Sequence, residues 1–204
     1  GSHLTELLVE QGYNVIAFDR YNSNNNWGWL DHSKVKNHIE VILGDIRDYD
    51  SVYKSMIGCS AVFHLAALIG IPYSYVSPLA YIRTNIEGTY NVLEASKNQC
   101  HLIHNSTDHV YDGDDNSLNK EEDIKITNTY ALTKYAGELA LANLPCTVLR
   151  TNFVGKSLVK HRESLTDWVF KSSCAGIPVN VLDDVYFNFF IHREIPIYFD
   201  TETE

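Results

Sequence analysis

The strongest constraint on the fold is the regular alternation of extended and helical patterns along the chain. Short apolar runs that predict strands are separated by segments with apolar residues at helical spacing. The predicted strands are 13–18, 39–43, 61–66, 101–106, 146–150 and 178–182. The predicted helices are 2–11, 48–57, 78–97, 128–144 and 163–174. Because such alternation is typical of right-handed β-α-β units, the sequence predicts an α/β fold with a doubly wound parallel sheet.

Composition excludes several other classes of protein. With 204 residues, 45% of them hydrophobic, the chain can bury a core, which argues against disorder. The net charge of −10 argues against a nucleic-acid partner. The four cysteines contain no C-x-x-C pair, a pattern typical of reduced thiols rather than disulfides or a zinc site. We find no membrane-spanning run and no signal peptide, so we expect a cytoplasmic enzyme without a membrane partner.

Three histidines lie on or beside one predicted strand, and they raise the question of a metal site. His101, His104 and His109 have no carboxylate or cysteine set at a spacing that a zinc site would need. We interpret them as structural histidines and expect no metal.

Tyr130 and Lys134 lie four residues apart on the predicted helix 128–144. Side chains at this spacing share one helical face and lie one turn apart. An ammonium beside a phenol favours the phenolate, so we expect Lys134 to lower the pKa of Tyr130 from its ordinary value of about 10. Such a tyrosine exchanges a proton with a carbinol oxygen near neutral pH. Many helices carry this pair by chance, so it indicates catalysis only beside a second motif.

The second motif is Ser106-Thr107-Asp108-His109-Val110-Tyr111, at the end of the predicted strand 101–106. A hydroxyl at this place can hydrogen-bond the substrate oxygen that the tyrosine protonates. Together the two motifs resemble the extended short-chain dehydrogenase/reductase family, also called the NAD-dependent epimerase/dehydratase family, of the sugar-nucleotide type. The resemblance implies that Thr107, Tyr130 and Lys134 form the catalytic set. In it Tyr130 is the acid/base, and Lys134 holds the nicotinamide ribose and biases the tyrosine.

The resemblance extends over residues 1–183 and implies an NAD site. Gly1 resembles the last glycine of the phosphate-binding loop, where a helix N-terminus binds pyrophosphate. Asp19 ends a predicted strand, where a carboxylate binds the adenosine ribose and favours NAD, while Arg20 leaves NADP open. The other cofactor-binding residues implied are Asp45, Ile46, Leu65, Ala66, Ala67, Tyr130, Lys134 and Asn152, and Asn85 resembles a structural asparagine of the family.

The sequence leaves the reaction open within this family. Members move a hydride between the nicotinamide and a sugar carbon while the tyrosine moves the proton. Residues 1–97 resemble nucleotide-sugar 4,6-dehydratases, whereas residues 106–113 and 129–155 resemble dTDP-4-dehydrorhamnose reductases. Dehydratases usually carry an Asp-Glu pair after the catalytic threonine, and here Asp108 is followed by His109. We therefore predict an NAD(P)-dependent oxidoreductase, epimerase or dehydratase acting on a nucleotide-linked sugar. A dTDP-4-keto-sugar reductase and a non-catalytic NAD(P)-binding regulator or inactive fragment are the alternatives.

The resemblance also predicts the organisation of the chain. Measured against the family, the chain lacks the first strand of the sheet and carries only a remnant of the substrate lobe. We predict a truncated NAD(P)-binding Rossmann-like domain over 1–183 and an irregular tail over 184–204. Because relatives pair two helices across a two-fold axis, we expect a homodimer through the predicted helices 78–97 and 128–144.

Overall fold

The computed structural model describes residues 1–111, 119–142, 144–154, 163–179 and 189–191. The chain divides into two compact units, Gly1–Arg150 and Thr151–Glu204. In the described part of the chain, no helix combines the length and the apolar composition that spanning a bilayer would require.

Strands and helices alternate through the first unit, as the sequence predicted. Its described strands are β1 (Val15–Arg20), β2 (Ile39–Gly44), β3 (Ala61–His64), β4 (His101–Asn105) and β5 (Cys146–Leu149). Its described α-helices are α1 (Ser2–Glu10), α2 (Tyr49–Met56), α3 (Ile71–Val76), α4 (Pro78–Tyr81), α5 (Thr89–Ser96) and α6 (Thr129–Leu141). The second unit contains β6 (Asn152–Val154), α7 (Leu165–Cys174) and β7 (Phe189–Ile191).

The predicted helix 78–97 is present, but its middle is not α-helical. Between α4 and α5 the backbone continues as a π-helical segment, Ile82–Gly88. The flanking residues Tyr81 and Thr89 keep right-handed helical dihedral angles, so the helix is not interrupted. A π-helical segment widens the turn and is often found near functional sites.

All strand pairs of the first unit that the structure describes are parallel. β1 pairs with β2, and a second sheet has the order β3-β4-β5. In the strand order of the predicted fold class, the first strand would stand between β1 and β3 and join the two sheets. The α/β parallel fold predicted from the sequence is confirmed, as a partial Rossmann-like domain.

The carboxyl ends of β2 and β3 meet at one helix, although the two strands belong to different sheets. Just beyond β2, the carbonyl oxygen of Ile46 accepts a hydrogen bond from the Asn91 side chain at 3.0 Å. At the end of β3, His64 Nε2 lies 3.0 Å from Thr89 Oγ1. Because Thr89 and Asn91 are two residues apart on α5, the strand ends lie at the same edge of the unit.

The core lies between the strands and the helices α2, α5 and α6. Its fully buried cluster consists of Ile46, Val52, Met56, Val92, Leu93, Ala95, Leu102 and Leu141. Burying each large aliphatic side chain contributes about 1.5–3 kcal/mol, so this cluster holds the two sheets together. Helix α6 packs closest to the π-helical segment, because a Cβ atom at Gly137 would lie 2.9 Å from the carbonyl oxygen of Asn85.

The second unit differs from the pattern predicted for the end of the chain. Within the segment 184–204, described above as irregular, Phe189–Ile191 form β7, which pairs in parallel with β6. The boundary between the two compact units follows Arg150 in the chain. The domain assignment made from the sequence placed a boundary after residue 183. That assignment stays a prediction. Of the predicted strand 178–182, residues 178 and 179 are not extended in a sheet, and 180–182 lie outside the described residues.

Candidate active site

Helix α6 places Tyr130 and Lys134 on one face, one turn apart, and both side chains are buried. The helix begins after Asn128, whose side-chain oxygen accepts a hydrogen bond from the backbone N–H of Ala131 at 2.8 Å. This N-cap satisfies one of the amide groups that a helix leaves unpaired at its start, and it fixes Tyr130 in the first turn.

The segment after β4 brings three further side chains to Tyr130. Thr107 caps the short 3-10 helix Asp108–Val110, since its hydroxyl accepts a hydrogen bond from the N–H of His109 at 3.2 Å. The Thr107 side chain and the carboxylate of Asp108 both interact with the phenol of Tyr130. The His109 ring lies edge-on to the Tyr130 ring, with 6.1 Å between centroids. The structure therefore brings Thr107 and Asp108, both predicted site residues, to Tyr130.

The pKa of Tyr130 differs in direction from the sequence prediction. Burial raises the pKa of the phenol, the hydrogen bond with Thr107 opposes this, and the charge of Asp108 raises it further. The sequence predicted a pKa lowered by the ammonium of Lys134. In the structure Lys134 Nζ instead donates a hydrogen bond to the backbone carbonyl of Asn105 at 2.7 Å. The prediction of a lowered Tyr130 pKa was wrong because it ignored desolvation, which the spacing of two residues does not report.

Lys134 is itself perturbed by burial. Removing the ammonium from water lowers the pKa of Lys134 to about 8, and the carboxylate of Glu138, one turn further along α6, opposes that decrease. Lys134 is therefore mostly charged near neutral pH, but a modest change of its surroundings is enough to discharge it.

Asn85 lies in the π-helical segment, and its side chain joins the residues that follow β3 to helix α6. Its side chain accepts a hydrogen bond from the N–H of Leu68 at 2.9 Å and donates to the carbonyl of Leu68 at 3.0 Å. It also donates to Thr133 Oγ1 at 3.0 Å, and that hydroxyl donates to the carbonyl of Tyr130 at 2.9 Å. Since Asn85 is fully buried and makes three hydrogen bonds, it holds the segment after β3 against the helix that carries Tyr130.

Two buried histidines lie beneath Lys134, and the sequence did not indicate that they form a pair. His64 and His104 occupy matched positions on β3 and β4, with ring centroids 5.1 Å apart. Burial lowers the pKa of His64 to about 3 and that of His104 to about 2, and the charge of Lys134 adds to both decreases. Among the described residues, neither ring nitrogen of His104 has a hydrogen-bond partner. Both imidazoles are therefore neutral at pH 7.

The start of α1 and the end of β1 are neighbours. The carboxylate of Asp19 acts electrostatically on Gly1, at the start of α1. Arg20 is exposed beside Asp19, whose carboxylate accepts a hydrogen bond from the Arg20 backbone N–H at 2.7 Å. These residues fit a dinucleotide, because a helix N-terminus next to a strand-end carboxylate suits a pyrophosphate and a ribose.

The two residues predicted at the adenine have different surroundings. The Asp45 carboxylate receives hydrogen bonds from Arg47 Nε at 2.9 Å and Nη2 at 2.5 Å, and this hydrogen bonding with Arg47 lowers the pKa of Asp45. The Ile46 side chain is buried in the core against Gly88. Asp45 thus lies at the surface beyond β2, while Ile46 is buried and its carbonyl accepts a hydrogen bond from Asn91.

The remaining predicted cofactor residues fall on both units. Leu65, Ala66 and Ala67 directly follow β3, between His64 and the Leu68 backbone that Asn85 holds. Asn152 begins β6 in the second unit, where its side-chain oxygen accepts a hydrogen bond from the N–H of Phe153 at 3.0 Å. The structure therefore places Leu65, Ala66 and Ala67 at the end of β3, and Asn152 is described only within the second unit.

One acidic residue of the site was missed by the sequence reasoning. Glu138 is buried on α6, one turn beyond Lys134 on the same face, and it forms an ion pair with Arg150. The signal that points to it is its spacing of four residues from Lys134, which continues the face begun by Tyr130.

The parallel strands, with Thr107, Tyr130 and Lys134 gathered beyond their carboxyl ends, define a domain of the short-chain dehydrogenase/reductase class. The chain belongs to the GDP-mannose 4,6 dehydratase family, whose model matches residues 1–148. The resemblance to the extended, sugar-nucleotide branch of that class is thereby confirmed. Members of the family are NAD-dependent epimerases and dehydratases.

Three similar proteins illustrate the relationship. The chain is 31% identical to the UDP-N-acetyl-alpha-D-glucosaminuronate decarboxylase of Bacillus cytotoxicus over 163 residues, which cover 74% of this chain and 50% of that protein. The UDP-glucose 4-epimerase of Thermotoga maritima, solved with UDP-glucose, superposes with a TM-score of 0.71 at 25% identity, covering 94% of this chain and 66% of that one. A double mutant of DesIV, a dTDP-glucose 4,6-dehydratase of Streptomyces venezuelae solved with NAD bound, shares the fold with a TM-score of 0.71 at 23% identity, covering 87% and 60%. The chain spans about half the length of the first of these relatives.

Proposed function

We propose that this chain is the cofactor-binding part of an NAD(P)-dependent oxidoreductase, epimerase or dehydratase that acts on a nucleotide-linked sugar. The observation that carries the proposal is the arrangement of Thr107, Tyr130 and Lys134. The Tyr130 phenol interacts with the Thr107 side chain, and Lys134 is hydrogen-bonded to the backbone two residues before Thr107. The UDP-linked sugars named for the decarboxylase and the epimerase above support a nucleotide-linked sugar as the substrate class.

In this proposal the nicotinamide supplies the hydride acceptor and donor. Tyr130 moves the proton of the sugar hydroxyl at its phenolic oxygen, and Thr107 orients that phenol through their hydrogen bond. Because burial raises the pKa of Tyr130, the phenol starts out protonated and is suited to act as the acid. The ammonium of Lys134, charged below its pKa of about 8, is the cation that would stabilise the phenolate when Tyr130 acts as the base.

The cofactor would lie along the carboxyl ends of β1, β2 and β3. Gly1 would face the pyrophosphate, and Asp19 would accept hydrogen bonds from the adenosine ribose, which favours NAD over NADP. The other residues proposed to bind it are Arg20, Asp45, Ile46, Leu65, Ala66, Ala67, Tyr130, Lys134 and Asn152. The electrostatic interaction between Asp19 and Gly1 at the start of α1 supports this placement.

The first test is a titration of the chain with NAD⁺ and NADP⁺, followed by tryptophan fluorescence. We expect saturable binding that is tighter for NAD⁺, and an Asp19→Asn variant should lose that preference. Lys134→Met should weaken binding, whereas the control Lys54→Met, on the exposed face of α2, should not. Absence of binding by the folded wild-type chain would refute a cofactor site within these residues.

Turnover is tested with UDP-glucose, dTDP-glucose and UDP-N-acetylglucosamine. We expect Tyr130→Phe to reduce the rate about 10²–10⁴-fold while NAD⁺ affinity changes little, since a general acid/base contributes that much. The matched control is Tyr53→Phe, which removes an exposed phenol on α2. Reduction of a dTDP-4-keto sugar by NADH, without oxidation of the parent sugar, would favour the reductase alternative. Binding of NAD⁺ with no turnover of any sugar would favour a regulator or an inactive fragment.

We further propose that two copies associate through the helix Pro78–Ser96 and α6. Large apolar side chains on these helices are between 44% and 65% exposed, namely Leu79, Ile82, Tyr90, Leu132 and Leu139. Sedimentation should give a dimer for the wild type and a monomer for Leu132→Glu, and a monomeric wild type would overturn this proposal. The cytoplasmic location predicted from the sequence is likewise a proposal, which cell fractionation tests.

A further inference from the structure

Three successive turns of α6 bind three consecutive residues of the segment after β4. Tyr130 interacts with the side chain of Thr107, and Lys134 Nζ donates to the carbonyl of Asn105 at 2.7 Å. One turn further on, the carboxylate of Glu138 accepts a hydrogen bond from the hydroxyl of Ser106. The segment that carries Thr107 is thus held at each residue by one side chain of the same helical face.

Glu138 is in turn fixed by Arg150 at the end of β5. Arg150 Nε lies 2.9 Å and Nη2 lies 2.7 Å from Glu138 Oε2, so the ion pair is bidentate from the side of the guanidinium. The Glu138 side chain is only 6% exposed. The guanidinium also donates to the hydroxyl of Tyr111 at 2.6 Å and to the carbonyl of Glu121 at 2.7 Å. Arg150 therefore joins β5, α6 and the residues that follow the short 3-10 helix, and a bidentate pair of this kind restricts rotation of both side chains.

We propose that Glu138, held by Arg150, is a positioning residue that fixes the Asn105–Thr107 segment and Lys134 in the geometry in which Tyr130 acts. The catalytic role of Tyr130 and Lys134 rests on the proposed function. The position of Glu138 does not rest on the proposed function. Glu138 is hydrogen-bonded to Ser106, paired with Arg150 and acts electrostatically on Lys134. Glu138 touches no reacting atom and works through the residues it holds.

The charge of Glu138 acts on the pKa of Lys134, an effect that a purely structural residue would not have. The titratable groups facing Lys134 are Glu138 on its own helix, His64 on β3 and His104 on β4. Both histidines are neutral near pH 7 because burial lowers their pKa values, so Glu138 supplies the negative charge that opposes discharge of Lys134. Asp108 and His109 lie beside Tyr130 on the loop, and Asp108 acts on the Tyr130 phenol.

The test is a titration of Lys134 in the chain without cofactor, by NMR of lysine labelled with carbon-13 at Cε. Lys134→Arg assigns the signal. We expect Glu138→Gln, which keeps the shape and a hydrogen-bond acceptor for Ser106, to move the Lys134 midpoint down by about one pH unit or more, the usual effect of losing a nearby opposite charge. Glu138→Asp keeps the charge and should restore most of the shift. Glu94→Gln, on α5, removes a carboxylate that pairs with Lys97 and is the control that should leave the midpoint unchanged.

A double variant, Glu138→Gln with Arg150→Gln, separates positioning from folding. It removes both charges of the ion pair, so no unpaired charge stays buried, and we expect it to fold more stably than Glu138→Gln alone. Its Lys134 midpoint should still be low, and its NAD⁺ affinity at pH 8 should fall at least about five-fold because the lysine is then largely discharged. A Lys134 midpoint equal to that of the wild type in both variants would overturn the proposal. If the wild type binds no NAD⁺, the proposed function fails, but the Lys134 midpoints still decide this inference.

Discussion

Replacing His104 by leucine should make the protein less sensitive to acid without weakening it at neutral pH. His104 is 1% exposed, and its ring lacks hydrogen-bond partners among the described residues. Leucine has a similar volume and no polar atoms. Since burying an unsatisfied polar group costs about 1–3 kcal/mol, the free energy of unfolding at pH 7.5 should stay constant or rise by about 1 kcal/mol.

The expected effect of pH follows from the two lowered pKa values. An unfolded histidine has a pKa of about 6.5, whereas the folded values are about 3 for His64 and about 2 for His104. Below pH 6.5 the unfolded chain therefore binds protons that the folded chain does not, and stability is lost as the pH falls. At pH 5.5 each buried histidine lowers the free energy of unfolding by about 1.4 kcal/mol, so the pair lowers it by about 2.8 kcal/mol. His104→Leu should reduce this loss to about 1.4 kcal/mol.

Urea unfolding at pH 7.5 and 5.5, followed by tryptophan fluorescence, measures this difference. The matched control is His101→Gln, an exposed histidine on the same strand, whose variant should lose as much stability in acid as the wild type. The reasoning is refuted if His104→Leu loses as much stability between the two pH values as the wild type does. It is also refuted if the variant is less stable by more than about 2 kcal/mol at pH 7.5, which would mean that the imidazole makes contacts that leucine cannot replace.

Three further substitutions test the framework of the site, each by urea unfolding. Gly137→Ala should lower stability by about 1–3 kcal/mol, because its Cβ would lie 2.9 Å from the carbonyl oxygen of Asn85, and an unchanged stability would contradict that close approach. Asn85→Ala should cost about 2–4 kcal/mol, since it leaves the partly buried backbone of Leu68 and the buried hydroxyl of Thr133 without their partner, and a loss below about 1 kcal/mol would argue that water replaces the amide. Asn128→Ala should cost about 1 kcal/mol by removing the N-cap of α6, while Asn128→Ser, which can still cap, should recover most of it.

The fold class followed from information that is local in the sequence. Hydrophobic periodicity distinguishes a strand from a helix within a window of a few residues, so the order of β1 to β5 and of most helices between them was predictable. The short helix α3 was not predicted. The shared face of Tyr130 and Lys134 was predictable for the same reason, because helical geometry places residues four apart on one side. The placement of Thr107 beside them depended on a motif spacing that only the family resemblance could interpret.

Tertiary structure decided whatever depends on burial and on partners distant in the chain. It reversed the direction of the Tyr130 pKa shift, since desolvation depends on the elements packed around the phenol. It also paired His64 with His104 through the register of β3 and β4, and it joined Glu138 to Arg150 from different elements. None of these three features produces a periodic pattern in the sequence, because each depends on contacts that exist only after the strands and helices have packed. The sequence by itself thus determined the parallel α/β fold and the helical face of the site, and packing alone decided the charges on that face.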